Sequence, residues 1–90
     1  MQGDTFAAVG RRLEINALEA DYGIYEVVEI TYERAVMIVT RWRDGMTIVG
    51  TFCGGGSPEV ARAKARQRAI EGGLNLRARW ARAASPVAAE

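Results

Sequence analysis

Asp44-Gly45 constrains the fold of this chain more than any other pair of residues, because Asp-Gly between two β-prone runs is a strong hairpin signal. The flanking runs are AVMIVTRWR (35–43) and MTIVGTFC (46–53), both rich in β-branched and aromatic side chains. A third run of the same kind, IYEVVEITYE (24–33), precedes them and reaches the second through Glu33-Arg34. The sequence therefore predicts a three-stranded antiparallel sheet. With two-residue turns at both hairpins, Ile30 faces Met37, Val28 faces Val39 and Glu26 faces Arg41, while Arg41 also faces Ile48 and Met37 faces Phe52. One face then holds Val28, Ile30, Tyr32, Met37, Val39, Ile48 and Phe52, with Glu26 and Arg41 as a cross-strand ion pair at its end. This is the expected core face. The other face carries Tyr25 opposite Trp42, Val27 opposite Thr40, Glu29 opposite Ile38, and Val36, Val49 and Cys53. Such a partly apolar surface meets a partner, a second copy of the chain, or the chain's own C-terminal segment.

Helices are expected on both sides of these strands in the sequence. Phe6, Val9, Leu13 and Ala17 form a helical stripe over residues 5–20, with a strand at Leu13–Leu18 as the alternative. The charge order disfavours that helix, since Arg11 and Arg12 precede Glu14, Glu19 and Asp21. After Gly54-Gly55-Gly56, Ser57 serves as N-cap, Pro58 as first helical residue and Glu59 as a first-turn acid. That helix is expected to run to about Glu71, to stop at Gly72-Gly73 and to pack on the sheet through Val60, Ala63, Gln67, Ile70 and Leu74. Residues 74–84 read as helix, with an edge strand as the alternative, and SPVAAE (85–90) reads as a tail. The plan is a single α+β domain over residues 1–84, ordered α-β-β-β-α, with the helices packed on one face of the sheet.

Composition narrows the chemistry. The 90 residues contain no histidine and one cysteine, which removes imidazole bases, Ser-His-Asp and Cys-His arrangements, HExxH and Cys₄ zinc sites and internal disulfides. A non-enzymatic protein with no cofactor and no metal is expected. No apolar run approaches the ~20 residues that span a bilayer, so the expectation is no membrane association and a cytoplasmic location. The net charge is only +1, yet residues 1–33 carry −5 and residues 34–83 carry +7. Such asymmetry hints at a basic surface, or at an acidic half that neutralises a basic one.

Three features of residues 51–73 invite chemistry. The glycine run lacks the Lys-Ser or Lys-Thr of a P-loop and reads as a strand-to-helix connection. Cys53, at a strand end, lacks a base and reads as a small, semi-buried hydrophobe. The cations form two i,i+4 pairs, Arg62 with Arg66 and Lys64 with Arg68, on different flanks of the helix.

The α-β-β-β-α order with cations early in the last helix resembles the double-stranded-RNA-binding domain over roughly residues 5–73. That resemblance implies phosphate contacts at Arg62, Lys64 and Arg66; the Gly-Pro-His-type segment of that family's first strand-to-strand loop is absent here. The small antiparallel sheet followed by a Gly-Ser-Pro-started helix containing Ala63-Lys64-Ala65 is similar to some small phage-encoded anti-CRISPR proteins, mainly over residues 35–73. This second resemblance implies a non-catalytic inhibitor that binds a bacterial protein or ribonucleoprotein complex and blocks its access to DNA. Because aromatic and arginine side chains dominate interface energetics, the expected contacts are Tyr25, Arg41, Trp42, Arg43, Arg62, Lys64, Arg66, Arg68, Arg77, Arg79 and Trp80. The leading expectation is thus a protein-binding inhibitor, with a nucleic-acid-binding module as the alternative and a homodimer through the sheet face as a further arrangement.

Overall fold

The computed structural model describes residues 10–54 and 56–84. Its elements are β1 (Gly10–Leu13), α1 (Ala17–Tyr22), β2 (Ile24–Thr31), β3 (Ala35–Trp42), β4 (Thr47–Cys53) and α2 (Pro58–Ala83). The strands form one antiparallel sheet in the order β1-β2-β3-β4, and α2 packs across β3 and β4. The α+β class holds, with four strands in place of three.

The extra strand comes from the segment expected to be helical. Gly10 to Leu13 pair with Ile30 to Val27, so Arg11 and Arg12 belong to a strand and the adverse charge order on a helix does not arise. The helix starts later. Asn16 caps α1 through a reciprocal box in which its side chain accepts from the Glu19 N–H and the Glu19 carboxylate accepts from the Asn16 N–H. Gly23, at φ 101°, ends it in the left-handed conformation that favours glycine. The remainder of the expected N-terminal helix, residues 5–9, and the 85–90 tail lie outside the described residues.

The β2–β3 register follows the sequence expectation, with Ile30 opposite Met37, Val28 opposite Val39 and Glu26 opposite Arg41. A register shift between Ile24 and Glu26 then sets Ile24, not Tyr25, opposite Trp42. The second hairpin departs by one residue. Trp42 N–H donates to Met46 O and Gly45 N–H to Trp42 O, each at 2.9 Å, so the loop is Arg43-Asp44-Gly45 with Gly45 at φ 98°. This is the three-residue hairpin loop, a tight turn completed by a left-handed glycine, and Asp-Gly serves it as well as it serves a two-residue turn. Thr40, Ile38 and Val36 consequently face Ile48, Gly50 and Phe52, and the side chains of β4 exchange sides relative to the expected pairing.

The covered face is also the opposite of the expected one. Ile24, Val27, Val36, Ile38, Thr40 and Trp42 are buried beneath α2, which meets them with Ala61, Ala65, Ala69 and Gly73. Small residues at i,i+4 let the helix backbone approach the sheet backbone. A Cβ on Gly50 would enter the van der Waals shells of Ala65 O and Ala69 N and lie 3.0 Å from Ala69 Cα. The stripe expected to face the sheet is displaced accordingly: Val60, Ala63 and Gln67 are exposed, and Ile70 and Leu74 are half-buried on its flank. Gly72-Gly73 does not stop the helix. Gly73 lies under the Trp42 indole, where a Cβ would be 2.8 Å from ring carbons, and α2 continues to Ala83, 26 residues in all. Residues 74–83 are helical, as expected.

Candidate functional site

The face of the sheet away from α2 is built by alternation. Since Val27, Glu29, Val36, Ile38 and Thr40 point to the helix, Glu26, Val28 and Ile30 on β2 and Met37, Val39 and Arg41 on β3 point away from it. Arg12 on β1 and Thr47, Val49 and Thr51 on β4 join them through the strand registers. Val28, Ile30, Met37 and Val39 are half-buried, and Val49 keeps 48% of its surface exposed. Val28, Ile30, Met37, Val39 and Val49 thus make an apolar centre on the solvent side. Charge borders it at one end. Glu26 accepts from Arg12 at 3.0 Å and lies 3.7 Å from Arg41, confirming the expected Glu26–Arg41 pair and adding Arg12 to it.

The cations of α2 are organised differently. Arg66 donates from Nε and Nη2 to both Glu19 carboxylate oxygens at 2.7 Å, and also to Glu14 O. Arg62 Nε donates to Glu29 at 2.7 Å, where Arg11 and the Thr31 hydroxyl donate as well. Both glutamates are buried, Glu19 where α1 meets α2 and Glu29 where β2 meets α2. Burial pushes the Glu19 carboxyl up, but hydrogen bonds from Arg66 and the Asn16 backbone, together with the Arg66 charge, hold it below the ordinary carboxylate range. Burial likewise raises Glu29, and hydrogen bonds from Thr31 and Arg62, with the Arg62 and Arg11 charges, bring it below that range.

The residues expected as contacts are therefore scattered. Trp42 is a correction: it is 1% exposed, donates its indole N–H to Thr40 Oγ1 at 2.8 Å and belongs to the core. Thr40 in turn donates to Ile48 O at 2.9 Å, so this buried polar chain is complete. Arg77 stacks 4.4 Å above the Trp42 ring and pairs with Asp44 at 2.8 Å. Arg62 and Arg66 lie in the sheet–helix interface. Lys64 and Arg68 sit over the Phe52 ring at 5.8 and 5.3 Å, and Arg68 Nη1 donates to Thr51 O at 2.9 Å. Tyr25 is exposed at the β2 irregularity, Arg43 is exposed in the hairpin loop, and Arg79 and Trp80 are exposed on the last turns of α2. Of this set Arg41 borders the open face, through its pairing with Glu26. Cys53 is another correction, being exposed instead of semi-buried.

Sequence reasoning missed the buried glutamates. Their signal was present, two acids in the first half of the chain and two arginines spaced i,i+4 in the second, but the partners are 33 and 47 residues apart. A second concavity, a groove of about 970 Å³, runs between α1 and α2, lined by Leu13, Ile15, Leu18, Tyr22, Ile70 and Leu74 beside the Glu19–Arg66 pair. Glu14, Asn16, Gln67 and Glu71 line it as well, so apolar and polar side chains share its walls. Among the described residues no helix is long and apolar enough to cross a membrane. Neither a protein-family model, nor a curated protein sequence, nor a solved structure matches this chain.

Proposed function

We propose that this is a small non-enzymatic binding protein that docks the open face of its sheet on a protein partner. The observation that carries the reading is the apolar character of the outward positions Val28, Ile30, Met37, Val39 and Val49. An antiparallel sheet covered on one side ordinarily alternates apolar-in with polar-out, and here both sides are apolar. A water-facing cluster of this kind, rimmed by Arg12, Glu26 and Arg41, has the anatomy of a protein interface, an apolar centre inside a charged rim. In the form suggested by the layout of small phage-encoded inhibitors, the docked face occludes a working surface of a bacterial protein or ribonucleoprotein complex. Pairing of Arg62 and Arg66 with buried acids favours protein over nucleic acid, because binding to a phosphate backbone draws on cations free to displace counterions.

The test is a pull-down from bacterial lysate with the wild type and a Met37→Glu/Val39→Glu variant of unchanged urea midpoint, alongside titration against duplex RNA and DNA at low salt. The wild type should retain a partner that the variant loses, and neither should bind the duplexes. Identical eluates, or salt-sensitive duplex binding at micromolar concentration, would refute the reading.

A further inference from the structure

Among the described residues no strand lies on the outer edge of β4, the last strand of the sheet. Trp42 and Met46 form a hydrogen-bonded pair at the hairpin, and such pairs alternate along an antiparallel ladder. Ile48, Gly50 and Phe52 therefore direct their N–H and C=O groups to β3, a placement that the Thr40 hydroxyl on Ile48 O corroborates. Thr47, Val49, Thr51 and Cys53 direct theirs outward. Strand order ends at β4, and no described strand pairs with that edge. The strand TIVGTFC has no charge and no proline, the features by which edges are usually protected from further pairing.

What stands beside the edge is cationic. Lys64 and Arg68 project from α2 over Phe52, and the Arg68 guanidinium occupies Thr51 O, one of the outward acceptors. We infer that the β4 edge accepts an extended, acidic segment of a partner protein as an added strand. Its alternate side chains, those on the α2 side, carry carboxylates to Lys64 and Arg68. A carboxylate there draws Arg68 away from Thr51 O and frees that carbonyl for a backbone N–H of the incoming strand. Its other side chains extend the open face beyond Val49 and Thr51. A basic strand is repelled, and so is the β4 edge of a second copy, which brings two further cations to the same place. Main-chain pairing thus supplies attachment, while the helix cations select the partner. The edge is separate from the apolar centre around Val39, so either surface can fail its test with the other standing.

The probe is a blocked peptide, Thr-Glu-Val-Glu-Val-Glu-Thr, with a lysine-for-glutamate counterpart and a version N-methylated at alternate amides. Amide hydrogen exchange followed by NMR reads the result. In the free protein the amides of Thr47, Val49, Thr51 and Cys53 should exchange readily; the glutamate peptide should protect them and leave those of Ile48, Gly50 and Phe52 unchanged. The lysine peptide should bind about tenfold more weakly, N-methylation should abolish protection, and Arg68→Glu should abolish the charge preference. Edge amides already protected in the free protein would overturn the inference, as would equal affinity for the two charge versions, undiminished binding of the N-methylated peptide, or no protection at millimolar peptide.

Discussion

Replacing Gly50 with alanine adds one methyl group to a strand position over which the α2 backbone passes in direct contact. The new Cβ meets Ala65 O, Ala69 N and Ala69 Cα, all main-chain atoms of a helix that cannot yield by changing a rotamer. Relief requires α2 to withdraw from β4 by about 1 Å, and a gap of that size forfeits a quarter to a half of the dispersion energy along the interface. The atoms affected include Ala61, Ala65 and Ala69 against Val36, Ile38 and Trp42, the centre of the core. Overpacking against backbone belongs at the top of the usual range, about 3 kcal/mol, against about 5–13 kcal/mol for the whole stability of a domain this size. With a urea slope of about 1–1.5 kcal/mol/M, the unfolding midpoint of Gly50→Ala should fall by about 2–3 M. Gly72→Ala is the control. Its Cβ would lie 3.5 Å from Ile48 Cγ2, an ordinary contact, so the better helix propensity of alanine should stabilise by about 0.5–1 kcal/mol. Gly73→Ala, one residue on, should destabilise despite the same helical gain, because Trp42 is fixed by Thr40 and Arg77 and cannot make room. A Gly50→Ala midpoint within 0.5 M of wild type, or the same sign for Gly72→Ala and Gly73→Ala, would refute the packing argument.

Arg66→Ala should cost about 3 kcal/mol in urea unfolding, the scale for stranding one member of a buried pair, and more than Arg62→Ala, because Glu29 keeps Arg11 and Thr31 whereas Glu19 keeps only its backbone donor. Glu19 and Glu29 both have folded-state pKa values below their ordinary value of 4.5, so the unfolded chain takes up protons first on acidification. The stability that they contribute is fully present above that value and is lost as pH falls through the depressed folded-state values; urea midpoints should be level from pH 7 to 5.5 and drop below pH 4.5, less steeply in Glu29→Gln. Thr40→Val strands the Trp42 indole N–H in the core and should cost about 1–3 kcal/mol, with a change in the near-ultraviolet circular dichroism of Trp42 that Thr40→Ser does not produce.

The sequence carried the strands and missed how they assemble, for identifiable reasons. Branched and aromatic runs located β2, β3 and β4, and Glu33-Arg34 fixed the first register correctly, because Tyr32 N–H does donate to Ala35 O. Asp44-Gly45 satisfies both a two-residue and a three-residue loop, and the choice between them moves every β4 side chain to the other face. β1 was obscured because GRRL sits beside a genuine capping signal at Asn16 and its two arginines mask any alternation. The choice of covered face turned on Glu29 and Thr40, which look like solvent positions until their partners are known. Counting apolar residues therefore favoured the wrong side. The informative pattern was the Ala61-Ala65-Ala69-Gly73 stripe, which pairs with Gly50 only if α2 lies on the side of Ile38 and Thr40.

The same pairing reinterprets the charge asymmetry. Acids concentrate before residue 34 and cations after it, which as a linear pattern suggests an external basic surface. In the fold, Glu19 meets Arg66, Glu29 meets Arg62 and Glu26 meets Arg41, so part of the positive charge of the second half is neutralised by the first across strand and helix contacts. Charge that holds a helix to a sheet is withdrawn from any distant phosphate. Beside the β4 edge, the outward sheet face also retains unmet physical demand: Val28, Ile30, Met37 and Val39 are half-buried and Val49 is exposed, and a protein surface satisfies that demand better than a polyanion does.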